Sequence, residues 1–334
     1  MAGTSLPSLS SQSMEHPVNN KLKVFAGRSH PAFAKGVCDH LGIALGASET
    51  VQFSNENMLV QIEENVRACD VFVIQTSSSP VHEHLFELLI FIDALRSASA
   101  SRITAVMPYI PYIRSDKKDR PRISITARLV ADLLKTAGAD RVLTMDLHSP
   151  QAQGFFRMPV DQLLGAGPLC DRLREEDRTD WVLVAADAGE AKDLGRFANR
   201  LDLPMAIIDK RRDGHDEKPQ AVSLIGDIEG KVAVIIDDEI ASGGTLVEAA
   251  EFLRKRGATR VLAAATHPIF SSNAAERIDD AYLERVIVTD TVPLREDQYS
   301  EKVEVISVTK LFAEAITRIH DGSSVSQLFR RSTS

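Results

Sequence analysis

Between residues 21 and 290 one pattern recurs. A short, continuous apolar run rich in β-branched residues is followed by a stretch of helical length. The runs are KLKVFAG, DVFVIQT, RITAVMPYI, RVLTMDLH, WVLVAAD, MAIID, KVAVIID, RVLAAATH and ERVIVTD. A strand with polar residues on alternate positions can leave one face wet, whereas a strand apolar throughout must be covered on both. Such strands separated by helix-length segments predict the α/β class, with mainly parallel sheets flanked by helices.

With 334 residues and 44% hydrophobic content, the chain is long enough for two domains. The strand-bearing part begins near Lys21. The first twenty residues are rich in Ser, Pro and Asn and read as a disordered tail without the apolar core of a signal peptide. The longest apolar stretch, LFELLIFIDAL, is broken by Glu87 and Asp93, so no membrane span is expected. A net charge of -8 argues against a nucleic-acid partner. Cys38, Cys69 and Cys170 are scattered and form no C-x-x-C pair, which suits a reducing cytoplasm. LKTAGADRVLTMDLH (134–148) and LRKRGATRVLAAATH (253–267) echo each other, which points either to two duplicated halves or to two ordinary helix-turn-strand units. Turn residues place the boundary between halves near 160–168.

The chemistry concentrates in VAVIIDDEIASGGTL, residues 232–246, where a buried-looking strand stops on Asp237 and Asp238 and enters a glycine turn. In parallel α/β sheets ligands bind beyond the carboxyl ends of strands. Ala241, Ser242, Gly243, Gly244 and Thr245 can wrap backbone N–H groups and two hydroxyls around a phosphate, while the two carboxylates take hydroxyl donors or a metal beside it. The competing reading is a plain helix start with Ser242 as its N-cap. Asp146 and His148, two apart at another strand end, would project to one side and could share a cation. RSDKKDRPR (114–122) can neutralise a polyphosphate or be a solvated charge run, and KRRDGHDEKP (210–219) reads as a mobile loop that could close over phosphates.

These segments resemble a known family. VIIDDEIASGGT is similar to the phosphoribosyl-diphosphate loop of phosphoribosyltransferases and of the ribose-phosphate pyrophosphokinase family. ELLIFIDALRSASASRITAVMPYIPYIRSDKK, DLHSPQAQGFF, AIIDKRR and SVSQLF follow the order of the latter over roughly residues 22–330. The resemblance implies two phosphoribosyltransferase-like domains, 21–163 and 164–308, with 309–334 packing back on the first. It also implies an enzyme that transfers the diphosphoryl group of ATP to ribose 5-phosphate with Mg²⁺, as a homohexamer built from dimers. On this likeness Mg²⁺ lies near His148 and Asp187, to which the strand-end pairing adds Asp146. Lys210 and Arg212 stabilise the transition state. ATP meets Arg114, Ser115, Asp116 and Lys117, together with Phe53, Asn55, Glu56 and Asn57, of which Phe53 stacks on adenine from a neighbouring subunit. Ribose 5-phosphate meets Arg212, Asp237, Asp238 and Ala241 to Thr245.

The chain departs from the family pattern at Asn55-Glu56-Asn57, at Ser115, at Asp187-Ala188-Gly189-Glu190 and at Ala241, where an Asp is usual. Two other functions fit parts of the pattern: a catalytically silent regulatory subunit, and a phosphoribosyltransferase that consumes the diphosphate.

Overall fold

The computed structural model describes residues 21–211 and 220–329. Its first sheet has the order β1-β4-β5-β6-β7, built from β1 (Leu22–Ala26), β4 (Asp70–Ile74), β5 (Arg102–Met107), β6 (Arg141–Met145) and β7 (Val160–Leu163). Every neighbouring pair is parallel. Helices α1 (Pro31–Leu41), α2 (Val81–Ser97) and α3 (Thr126–Ala137) provide the crossovers that parallel pairing requires. A separate hairpin, β2 (Ser48–Gln52) and β3 (Met58–Ile62), stands off this sheet.

The second sheet has the order β10-β9-β8-β11-β12-β13-β14. Its strands are β8 (Trp181–Ala185), β9 (Met205–Arg211), β10 (Gln220–Ile225), β11 (Val232–Ile240), β12 (Arg260–Pro268), β13 (Arg285–Thr289) and β14 (Val303–Ile306). All pairs are parallel except β9 with β10. Helices α4 (Ala166–Leu173), α5 (Ala191–Leu201), α6 (Gly244–Lys255) and α7 (Ala274–Asp280) cover it. Strands β4 and β8 are buried at every position, as continuous apolar runs require. The α/β class with mainly parallel sheets is thus what the chain adopts.

The last helix, α8 (Thr309–His320), returns to the first sheet. Phe312 meets Phe33 of α1 edge-on at 5.3 Å. Fully buried Asp70 takes the Arg102 guanidinium and lies 2.8 Å from His320 Nδ1, while Arg102 also donates to the carbonyl of Ile319 at 2.9 Å.

The two echoed segments occupy equivalent places. Gly138 (φ 122°) ends α3 before β6, and Gly257 (φ 93°) follows α6 before β12. Both lie at positive φ, which side chains disfavour. The series β5-α3-β6-β7 therefore matches β11-α6-β12-β13 in connection and sheet order.

One expectation changes. Strand β9 runs on through Lys210 and Arg211, which pair with Ala221 and Gln220 of β10, so the expected loop starts later than the polar composition suggests. Residues 212–219, the N-terminal tail 1–20 and the last residues, 330–334, lie outside the described residues. Among the described residues no helix is long and apolar enough to cross a membrane.

Candidate active site

The two halves meet with strand ends facing each other. Asp146, His148, Asp187, Glu190, Asp237 and Asp238 line one cavity of about 320 Å³ together with Lys117. A continuation of it is lined by Arg114 and by the loop from Ala241 to Thr245.

That loop is shaped to receive an anion. Gly243 occupies the N-cap position of α6 at φ 74°, ψ -8°, and no side chain caps the helix. The reading of Ser242 as the N-cap is therefore replaced: a left-handed turn at Gly243 carries the chain into α6, and the first-turn N–H groups lack the side-chain acceptor that ordinarily satisfies them. Arg277 fixes the turn from behind, donating from Nη1 to the Ser242 carbonyl at 3.1 Å. Open N–H groups and the positive end of the helix dipole are the features that suit an anion.

Beside this turn stand three carboxylates. Glu190, Asp237 and Asp238 each offer an oxygen within 4.8 Å of the others. Asp238 N–H donates to Asp237 Oδ1 at 2.8 Å. Burial, then the charges of Glu190 and Asp238, hold the Asp237 carboxyl well above its ordinary range. Asp238 goes the other way. Burial raises it most strongly of any single influence, but the hydrogen bond and charge of His148, with Nδ1 2.7 Å from Asp238 Oδ2, together with Asp237 and His267, outweigh burial and lower it. The same hydrogen bond raises the His148 imidazole above its ordinary value. Asp187 is used locally, accepting from Gly189 N–H at 2.7 Å, and remains on the cavity wall.

Arg114 comes from the connection after β5 and is held by buried Glu239, Nη1 to Oε1 at 3.0 Å, while Tyr109 donates to the other oxygen at 3.2 Å. Glu239 thus ties the first half to the strand that carries the aspartates. Neither Glu239 nor Glu190 stood out in the sequence as a site residue. Glu239 sits near the end of a strand that is apolar before Asp237, and only the departure from the family pattern at Asp187-Ala188-Gly189-Glu190 could have flagged Glu190.

Asp146 lines the cavity beside His148, but not by the strand alternation expected of it. Strand β6 ends at Met145 and Asp146 has φ 31°, so the strand geometry that would have aimed it alongside His148 is absent. Its Oδ2 accepts from Gly165 N–H at 2.8 Å and from the Thr266 hydroxyl at 2.6 Å. These bonds tie the end of β6 to residues of the other half. Ser115 Oγ turns toward the start of α3, near Ser124 O at 3.3 Å and Thr126 Oγ1 at 3.5 Å. Asp116 is half-buried in the same loop.

Phe53, Asn55, Glu56 and Asn57 form the exposed turn of the β2–β3 hairpin and line neither part of the cavity. Phe53 N–H donates to Asn57 O at 2.8 Å, and Phe53 is 50% exposed. The backbone of Lys210 lies in β9, and Arg212 lies outside the described residues.

Residues 22–138 match the family described as the N-terminal domain of ribose phosphate pyrophosphokinase, and residues 212–330 match the phosphoribosyl synthetase-associated domain. A ribose-phosphate pyrophosphokinase of Caldanaerobacter subterraneus is 48% identical over 93% of this chain and 98% of its own length. This chain belongs to the ribose-phosphate pyrophosphokinase family. The Deinococcus radiodurans ribose-phosphate pyrophosphokinase is likewise 48% identical, over 92% of this chain and 98% of its own length. The crystal structure of the phosphoribosylpyrophosphate synthetase from Mycobacterium smegmatis superposes with a TM-score of 0.86 at 41% identity, covering 91% of this chain and 100% of that one. In this member of the ribose-phosphate pyrophosphokinase family the paired aspartates lie on β11, the glycine turn follows them, and His148 reaches Asp238 from the other half.

Proposed function

We propose that this chain transfers the β,γ-diphosphoryl group of ATP to the 1-hydroxyl of ribose 5-phosphate, giving 5-phosphoribosyl 1-diphosphate and AMP. The observation that carries the reading is the uncapped turn at Gly243, directly after Asp237 and Asp238 and facing His148 from the other half. A phosphate cradle beside carboxylates that accept hydroxyl hydrogen bonds suits a phosphorylated sugar, and a regulatory subunit without turnover has no need of the set. A phosphoribosyltransferase shares only the β11 loop.

The 5-phosphate rests on the N–H groups of Gly243 to Thr245 with the hydroxyls of Ser242 and Thr245, where Ala241 adds no charge. Asp237 and Asp238 accept from the ribose hydroxyls and orient the ring. The sugar's 1-hydroxyl attacks the β-phosphorus in line, and AMP departs. Transfers of this type depend on position and charge neutralisation more than on covalent chemistry. Arg114, held by Glu239, and Lys117 on the cavity wall neutralise ATP phosphates. Lys210 and Arg212 complete that neutralisation as charge moves to the leaving group.

A divalent ion, Mg²⁺ in this reading, fits the donor set: all are oxygen ligands apart from the His148 imidazole, and Glu190, Asp237 and Asp238 converge closely enough to share it. His148 and Asp187 border the same cavity and would hold the ion that accompanies ATP. When bound, the ion supplies charge neutralisation at the phosphates. The exposed Phe53 turn, which lines no part of its own cavity, supports contribution of the adenine contact by a neighbouring subunit, and hence a homo-oligomer, a homohexamer built from dimers. Incubating pure protein with ATP, Mg²⁺ and ribose 5-phosphate tests the reaction: AMP and 5-phosphoribosyl 1-diphosphate should form in equal amounts. A protein that releases neither is a silent subunit, and turnover only of the diphosphate with a base marks a transferase.

A further inference from the structure

The internal duplication puts a second cleft at the equivalent strand ends. In the cleft described above, the loop after β11 faces the end of β6. Its counterpart is the loop after β5 facing the end of β12, and at that place the structure has a cavity of about 740 Å³. Tyr109 and Tyr112 line it from the β5 side, Ser271 and Ser272 from the β12 side.

Three observations give the cavity a chemical character. First, its wall contains Arg28, Arg295 and His82 but no Asp or Glu among the described residues, in a chain of net charge -8. Second, the cations are held in place by acids outside that wall. Buried Glu87 takes Arg28 Nε at 3.2 Å, and exposed Asp297 takes Arg295 at 3.1 Å. Tyr112 Oη lies 2.7 Å from His82 Nδ1, with the two rings nearly parallel. Third, the hydroxyls of Ser29 and Ser77, residues 7% and 3% exposed and both at the cavity wall, have no hydrogen-bond partner. Native structures rarely leave buried hydroxyls unmatched, and such groups mark places where a ligand or ordered water belongs.

We propose that this second cleft binds a small phosphate monoester, with Arg28 and Arg295 neutralising the phosphate and the hydroxyls of the serines and of Tyr112 meeting the polyol part. The cleft is built from the same strand-end loops as the phosphate cradle but lacks its paired aspartates, so it binds without turnover. The inference rests on the cavity itself and stands apart from the reaction proposed for the first cleft.

Calorimetric titration of the full chain with ribose 5-phosphate, in the absence of ATP, tests it. Two sites per chain are expected. Thr245→Glu, which puts a carboxylate in the first cradle, should leave one. Arg295→Ala and His82→Glu should each weaken the other site by tenfold or more while AMP formation persists. A single site that Thr245→Glu abolishes overturns the proposal, as does a second site indifferent to both Arg295→Ala and His82→Glu. A single site that survives Thr245→Glu and is lost in Arg295→Ala would keep the second cleft and overturn the phosphate cradle instead.

Discussion

His148 Nδ1 lies 2.7 Å from Asp238 Oδ2, joining the end of β6 to β11 across 90 residues of sequence. The pair fixes which imidazole nitrogen remains for the cavity, Nε2, and couples two titrations in opposite directions. The hydrogen bond to Asp238, then the attraction of its charge, raises His148 from 6.5 against an opposing contribution from burial, and the same bond lowers Asp238.

The pH dependence follows from those signs. The raised imidazole stabilises the fold fully below 6.5, and that contribution is lost as pH climbs through its folded value. The lowered carboxylate stabilises above 3.8, and that contribution is lost as pH falls through its folded value. In metal-free protein, the His148 ring protons should titrate above 6.5, and in Asp238→Asn distinctly lower, because burial and the Arg114 charge are then opposed only by Glu239. Identical titrations would break the assignment.

A second acid dependence comes from His30. Burial pulls its imidazole down to about 4, although the hydrogen bond of Nε2 to the Asp290 carbonyl at 2.9 Å works against the shift. Its Nδ1 accepts from Phe33 N–H at the start of α1, which accounts for the neutral tautomer. A depressed histidine contributes stability above 6.5 that is lost as pH falls toward 4. The whole difference is up to about 3 kcal/mol, at roughly 1.4 kcal/mol per pH unit. Urea unfolding from pH 7 to 4.5 should show a steeper loss for the natural chain than for His30→Asn, which keeps a capping side chain. Parallel curves would place the acid sensitivity elsewhere.

Much of the architecture was legible because a parallel strand covered on both faces must be largely apolar, as β8, the first half of β11 and β4 beyond Asp70 are. Asp237, Asp238 and the Ser-Gly-Gly-Thr turn were equally legible, since charge and glycine have no packing role at the end of such a strand. The contacts of Asp146 were not legible, because its partners Gly165 and Thr266 arrive from the other half. Lys210 and Arg211 read as loop by polarity, but the antiparallel partner β10 extends the strand through them. Glu190 matters only through its nearness to β11, which sequence spacing does not encode.

Glu190 should contribute to cation affinity. Its carboxylate oxygen lies within 4.8 Å of those of Asp237 and Asp238, so removing its charge takes one oxygen ligand from a convergent set. Titration of Mn²⁺ followed by electron paramagnetic resonance should show Glu190→Gln binding on the order of tenfold more weakly. Equal dissociation constants would exclude Glu190 from the ion.

Lys210→Ala should reduce kcat on the order of 10²–10³-fold, comparable to the loss of one preorganised electrostatic donor, with little change in either KM. Steady-state kinetics separates the outcomes: a raised KM with kcat intact would make Lys210 a ground-state contact.

The central claim is transfer of two phosphates together, and the fate of γ-³²P-labelled ATP tests it most directly. Mixed with the protein, Mg²⁺ and unlabelled ribose 5-phosphate, the label should appear in 5-phosphoribosyl 1-diphosphate while unlabelled AMP accumulates in equal amount. Label in a singly phosphorylated product with ADP alongside, or in free phosphate, would contradict it.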